Sequence, residues 1–204
     1  MTTAFQWVID NAESISIDRM KNVSTVTSRN GTVRSVGRAG QPWKFTVALP
    51  TGPKWSAVRQ EISKIEALDR VTVGQIQINN AGHSWLVEYQ GNAADDTAMT
   101  ASWTTGNTIT LTGGQATSGY NFRAGDIIQL GASGACYTVA ADVAYNSNTV
   151  TLHRPLVDAA GAGTLRVGDD CVWSVLCTQF PNWELVARDA VGWSGSFVFI
   201  EDLT

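Results

Sequence analysis

Apolar and polar residues alternate along this chain in short runs that break at glycine, proline or asparagine. Ile15 and Ile17 alternate with Ser14, Ser16 and Asp18, the period-two signature of a half-buried strand. Extended stretches from Val23 to about Arg29 and from Thr32 to Val36 flank Asn30-Gly31. Asn-Gly tolerates positive φ at both positions, as a tight hairpin turn requires, so a hairpin is expected there. Trp43 to Leu49 reads as a further strand. Pro50-Thr-Gly-Pro53 then ends extended structure and opens a helix over about 54–68, because proline at the first helical turn loses no hydrogen bond. Trp55, Val58, Ile62, Ile65 and Leu68 fall on one stripe of that helix, which predicts that it lays one face on a sheet. Val71–Ile78 and Ser84–Tyr89, joined by Asn79-Asn-Ala-Gly82, read as a second hairpin.

From Gly91 to Gly106 the chain turns small and polar, which marks a domain junction. Beyond it the pattern predicts short strands at Thr108–Thr112, Asp126–Leu130, Ala135–Ala140 and Thr149–His153. Asn107-Thr-Ile-Thr-Leu111 is nearly repeated as Asn148-Thr-Val-Thr-Leu152, and Arg123-Ala-Gly-Asp as Arg166-Val-Gly-Asp. Short strands at this density suit a small closed barrel, which removes exposed strand edges. Ala159-Ala-Gly-Ala-Gly163 marks the exit, and Cys171–Cys177, Trp183–Val186 and Ser196–Ile200 supply strands that can complete the first sheet. The expected fold is therefore mainly β with one amphipathic helix. A discontinuous sandwich domain, 1–96 plus 164–204, carries an inserted barrel, 97–163.

Composition adds the constraint of charge. The 204 residues have a formal net charge of −4, yet residues 1–60 carry eight Lys/Arg against three acids. An acidic chain with a basic first third is a poor duplex-DNA binder, and suits seating a basic face on an acidic face of a neighbouring copy. Nothing at the start resembles a secretion signal, and no apolar run is long enough to span a bilayer. The odd trio Cys136, Cys171 and Cys177 is no disulfide framework, so buried reduced thiols in a cytoplasmic setting are expected.

Candidate chemistry is thin. His83 and His153 stand apart from any nucleophile elbow or metal-ligand spacing. Asp95-Asp96 and Asp169-Asp170 are adjacent pairs, and strand neighbours face opposite sides rather than flanking a glycosidic bond. Gly113-Gly114 and Gly161-x-Gly163 are turn signals rather than phosphate cradles. Trp43, Trp85 and Trp173 fit strand cores, whereas Trp7, Trp103, Trp183 and Trp193 lie where they could form exposed platforms for sugars or partner proteins. An enzyme is not expected, and no cofactor or metal is.

The order of these elements carries a family likeness. An Asn-Gly hairpin, a Trp-bearing strand, a Pro-led helix, and a barrel opening with Asn-Thr-Ile-Thr-Leu and Arg-Ala-Gly-Asp-Ile-Ile-Gln-Leu precede strands that close the first sheet. This resembles the distal tail protein of long-tailed bacteriophages, in its compact siphophage form, most closely over Asn30–Ile78 and Asn107–Leu156. The resemblance implies a sandwich bearing a helix with an OB-like barrel inserted. It also implies a homohexameric ring in the virion's tail tip, assembled in the bacterial cytoplasm, that joins the tail tube protein to the tip hub. DNA would pass through the ring without sequence-specific binding. Phe5 and Trp7, apolar and ahead of the first strand, are the expected inter-subunit contacts. The alternative reading is a carbohydrate-binding module that uses its irregularly placed tryptophans. A glycosidase using the four paired aspartates, and single-strand nucleic-acid binding by the barrel, are weaker readings, the latter because residues 100–163 carry more acid than base.

Overall fold

The computed structural model describes residues 4–20, 23–27, 29, 33–37, 41–68, 71–132, 134–187 and 189–203. Among these the protein is mainly β, with two α-helices. The first helix, α1 (Ala4–Asp10), lies where no element was expected. Seven residues cannot hold a helix in water unaided. It is held by burial of Phe5, Val8 and Ile9, spaced at three and four, against the sheet that follows.

That sheet has five antiparallel strands in the order β1 (Ser14–Arg19), β4 (Trp43–Ala48), β17 (Phe197–Glu201), β14 (Val172–Gln179) and β5 (Gly74–Gln77). Alternation sets its inner face: Trp43, Phe45 and Val47 from β4, Trp173 and Val175 from β14, and Phe197 and Phe199 from β17. Phe5 completes this core, its ring 5.2 Å from that of Phe199 and pressed over Gly74. Between β1 and β4, β2 (Val23–Thr27) and β3 (Val33–Gly37) pair antiparallel with each other, and among the described residues with no other strand. The expected Asn30-Gly31 turn lies outside the described residues.

The predicted helix is α2 (Trp55–Glu66), with Val58, Ile62 and Ile65 buried as the stripe requires. It packs against a hairpin of β15 (Asn182–Ala187) and β16 (Ala190–Ser194) through Val191, Trp183 and Trp193. The second expected hairpin is overturned. Only Gly74–Gln77 of its first arm is a strand, and Ser84–Leu86 is a single 3-10 turn. The reason is tertiary: the Asn80 side chain donates to Asp10 O (2.7 Å), and His83 Nε2 lies 2.9 Å from Ala12 O. Both residues are thereby tied to the end of α1 rather than to a β ladder.

The remaining strands fall between Thr100 and Val167. Their order is β10 (Cys136–Thr138), β9 (Ile127–Leu130), β13 (Gly161–Val167), β6 (Thr100–Trp103), β7 (Thr108–Gly113) and β12 (Thr149–Thr151). This sheet curls until its two edges meet. Val139 bridges Leu152, Ala140 N donates to Thr151 O (2.8 Å) and His153 N to Thr138 O (3.0 Å). A short pair, β8 (Tyr120–Phe122) and β11 (Val143–Ala144), is added to it. The near-repeat has a structural meaning. Its two copies pair with each other, with Leu111 N donating to Asn148 O and Leu152 N to Asn107 O, each at 2.7 Å.

Two segments read as junctions are strands. Thr100–Trp103 lies inside the polar stretch, and the exit expected at Ala159–Gly163 runs into β13. The glycines there have a partner: the Trp103 indole lies across Gly161 and Gly163 of the neighbouring strand and donates Nε1–H to Ala159 O (2.8 Å). No helix among the described residues is long and apolar enough to cross a membrane.

Candidate functional site

The two sheets meet at a buried polar latch. Arg154 follows β12, and Glu201 ends β17. Their side chains are 0% and 2% exposed and form a two-pronged ion pair, Nη1 to Oε2 at 2.9 Å and Nη2 to Oε1 at 3.0 Å. Arg154 also donates to Gln41 O and Cys136 O, while Glu201 accepts from the backbone N–H groups of Trp43 and Cys136. Trp43 Nε1 donates to Cys136 O (2.9 Å), and the guanidinium lies 5.0 Å from the Tyr137 ring centre. Burial pushes the Glu201 carboxyl above its ordinary range despite the facing guanidinium. Gln129 adds a second tie, exchanging hydrogen bonds between its side-chain amide and the backbone of Val172. Local sequence carried no sign of this latch. An arginine between histidine and proline reads as surface until the fold brings Glu201 to it.

Beside the latch lies a cavity of about 330 Å³, bordered by Val73, Val157 and Leu203 with Asp158, Glu201 and Asp202. Asp158 is spoken for, since it accepts from Ala135 N and from the Tyr137 hydroxyl. Burial, with that carboxylate as neighbour, raises the Tyr137 phenol far above its usual range. Asp126 is likewise buried, bonded to the N–H groups of Gln90 and Arg123, and raised by burial.

The expected contact residues part company. Phe5 is 1% exposed inside its own chain and so offers no surface to a neighbour, which corrects that expectation. Trp7 is half-buried and borders a small apolar groove of about 150 Å³ with Pro50, Pro53 and Trp193. Between them Gln6 has a role that the sequence did not signal. Its side-chain amide donates to Gln77 O (2.9 Å) and accepts from Gln77 N (2.8 Å), closing the outer edge of β5.

The tryptophans are redistributed as well. Trp43 and Trp173 are buried as expected, but Trp85 is 67% exposed on its 3-10 turn, with Nε1 held by Gly82 O. Trp183 stacks on Trp55, ring centres 4.7 Å apart, and Trp103 is laid over glycines. Leu185 and Val186 near the β15–β16 turn are exposed at 56% and 52%. His83 is bound to backbone, and His153 accepts from Thr138 N through Nδ1. All three cysteines are buried free thiols. Among the described residues no three His, Cys, Asp or Glu side chains gather as metal ligands. No protein-family model matches the chain, and no curated sequence is similar to it.

Proposed function

We propose that this chain is a structural subunit of a bacteriophage tail tip. Copies would form a ring, in the resemblance a hexamer, that joins the tail tube to the tip hub and leaves a lumen for DNA. The observation that supports this reading is the nesting of the strands. Every strand of the curled sheet lies between Thr100 and Val167, and the chain then returns to complete the five-stranded sheet with β14 and β17. On this reading the curled sheet is the inserted OB-like barrel, and the five-stranded sheet with its helices is the ring-forming part. The Arg154–Glu201 latch would hold the two in one orientation, as a load-bearing coupler between tube and hub requires. Mass photometry and negative-stain microscopy of the purified chain, alone and with tail tube protein, test it. Rings are the expected result, and a strict monomer at high micromolar concentration under both conditions refutes the proposal.

One observation favours carbohydrate binding as a second reading. The Trp85 indole is exposed and fixed in orientation by its bond to Gly82 O, as a stacking platform for a sugar ring would be. A glycan array whose signal survives Trp85→Ala removes it.

A further inference from the structure

We infer that Cys136 and Cys171 form a disulfide when the folded chain meets an oxidant of the peroxide class, stapling the curled sheet to the five-stranded sheet. Cys136 opens β10 and Cys171 stands one residue ahead of β14, so the bond would cross the junction between the two sheets. Both are free thiols, 1% and 0% exposed, and both belong to the apolar cluster that also holds Trp43 and Trp173.

The backbone brings the pair together from two directions. Cys136 sits opposite Gln129 of β9, and the Gln129 side chain holds the N–H and the carbonyl of Val172, the residue after Cys171. The Cys136 Sγ accordingly lies 3.7 Å from Val172 O. Cys171 Sγ lies 3.4 Å from the carbonyl of Arg166, which is the partner of Gln129 on its other side. The two thiols are within side-chain hydrogen-bonding reach of each other. Contact between thiols is the geometric precondition for a bond whose Cα atoms stand about 4.4–6.8 Å apart. Cys177 is out of reach, five positions beyond Val172 and so roughly 17 Å along β14. The latch fixes the same place, because the Cys136 carbonyl accepts from Arg154 and Trp43 and its N–H donates to Glu201.

Cys136 also borders the cavity of about 330 Å³ beside the latch, which gives a molecule as small as hydrogen peroxide a way to the pair. The Cys136 thiolate attacks one peroxide oxygen and breaks the O–O bond, leaving a sulfenic acid and a hydroxide that leaves with the thiol's proton as water. The Cys171 sulfur then attacks the Cys136 sulfur, and its proton departs with the displaced hydroxyl as a second water. Two thiols are oxidised and one peroxide is reduced to two waters. Burial pushes the Cys136 thiol well up, so little thiolate is present and the oxidation is slow.

Treating the folded full chain with hydrogen peroxide, then alkylating it in denaturant, counts the thiols that remain. The count falls from three to one, and before alkylation the intact mass drops by two hydrogens. Peptide mapping finds Cys136 linked to Cys171, with Cys177 alkylated. The oxidised chain unfolds at higher denaturant than the reduced one, and a thiol reductant returns it to the reduced midpoint. Cys171→Ser and Cys136→Ala, checked for folding by near-UV circular dichroism, gain no stability from the same treatment. Three thiols surviving in the folded wild type overturn the staple. So does a link through Cys177 or between chains, or a Cys136 carried to sulfinic acid with no link. A Cys136–Cys171 link that leaves the midpoint unchanged or lower overturns it too, because the bond would then not hold the junction.

Discussion

Removing one partner of the buried latch is the sharpest perturbation the structure offers. Arg154→Met keeps much of the side-chain volume but deletes, among the described residues, two hydrogen bonds to the Glu201 carboxylate and two to the carbonyls of Gln41 and Cys136. The carboxylate then stays buried facing the N–H groups of Trp43 and Cys136, at 3.1 and 3.3 Å, without its counter-charge. Stranding a buried charge in this way costs about 3–5 kcal/mol. Combining the change with Glu201→Leu removes the stranded charge. It leaves those backbone groups short of partners, at roughly 1–3 kcal/mol each at most. Each single change strands a buried charge and the double change strands none, so the double variant is expected to lose clearly less stability than the sum of Arg154→Met and Glu201→Leu. Chemical denaturation followed by tryptophan fluorescence measures all four corners of the cycle, with Trp43 and Trp173 reporting from beside the latch. Strict additivity of the two single changes, or a loss below about 1 kcal/mol in Arg154→Met, would refute the coupling.

Phe5→Ala should lower the stability of the isolated chain by about 3–5 kcal/mol, because the ring fills its own core; a surface contact would leave the melting temperature unmoved. Gly74→Ala drives a methyl group into the Phe5 ring and should cost about 1–3 kcal/mol in the same assay, whereas a neutral outcome would mean that the ring can shift freely. Gln6→Ala removes both bonds to Gln77 and uncovers the β5 edge. Light scattering on warming should then show earlier aggregation than wild type, and an unchanged onset would show that the edge is covered by something else. The Asp126 carboxyl is raised in the folded chain by burial, so the folded state holds its proton at pH values where the unfolded chain has released it. Its contribution is fully present at low pH and is lost as pH rises from the unfolded through the folded value. The stability of wild type relative to Asp126→Asn should accordingly fall as pH rises through the mildly acidic range, and a difference that is flat or grows contradicts the assignment.

Where hydrophobic period and turn chemistry act locally, the sequence determined the outcome by itself. β1, β4, β7, β12, β14 and β17 fall where period-two alternation puts them, and α2 follows its Pro-led stripe. Neighbouring residues suffice for these, because which face a side chain takes is decided by chain geometry within a few residues. The near-repeat was legible as a repeat, but only folding showed that its halves pair with each other. Tertiary structure decided the rest. α1 exists because the sheet buries Phe5, Val8 and Ile9, and Ser84–Leu86 turns because Asn80 and His83 are held at the end of that helix. Gly161 and Gly163 serve as strand residues because Trp103 covers them. The latch is the extreme case. Arg154 and Glu201 lie 47 positions apart; alternation with Phe197 and Phe199 puts Glu201 on the inner face, but no local pattern marks Arg154 as its partner. A buried guanidinium needs a facing carboxylate and acceptors to offset its lost hydration, and that pairing exists once both sheets have formed.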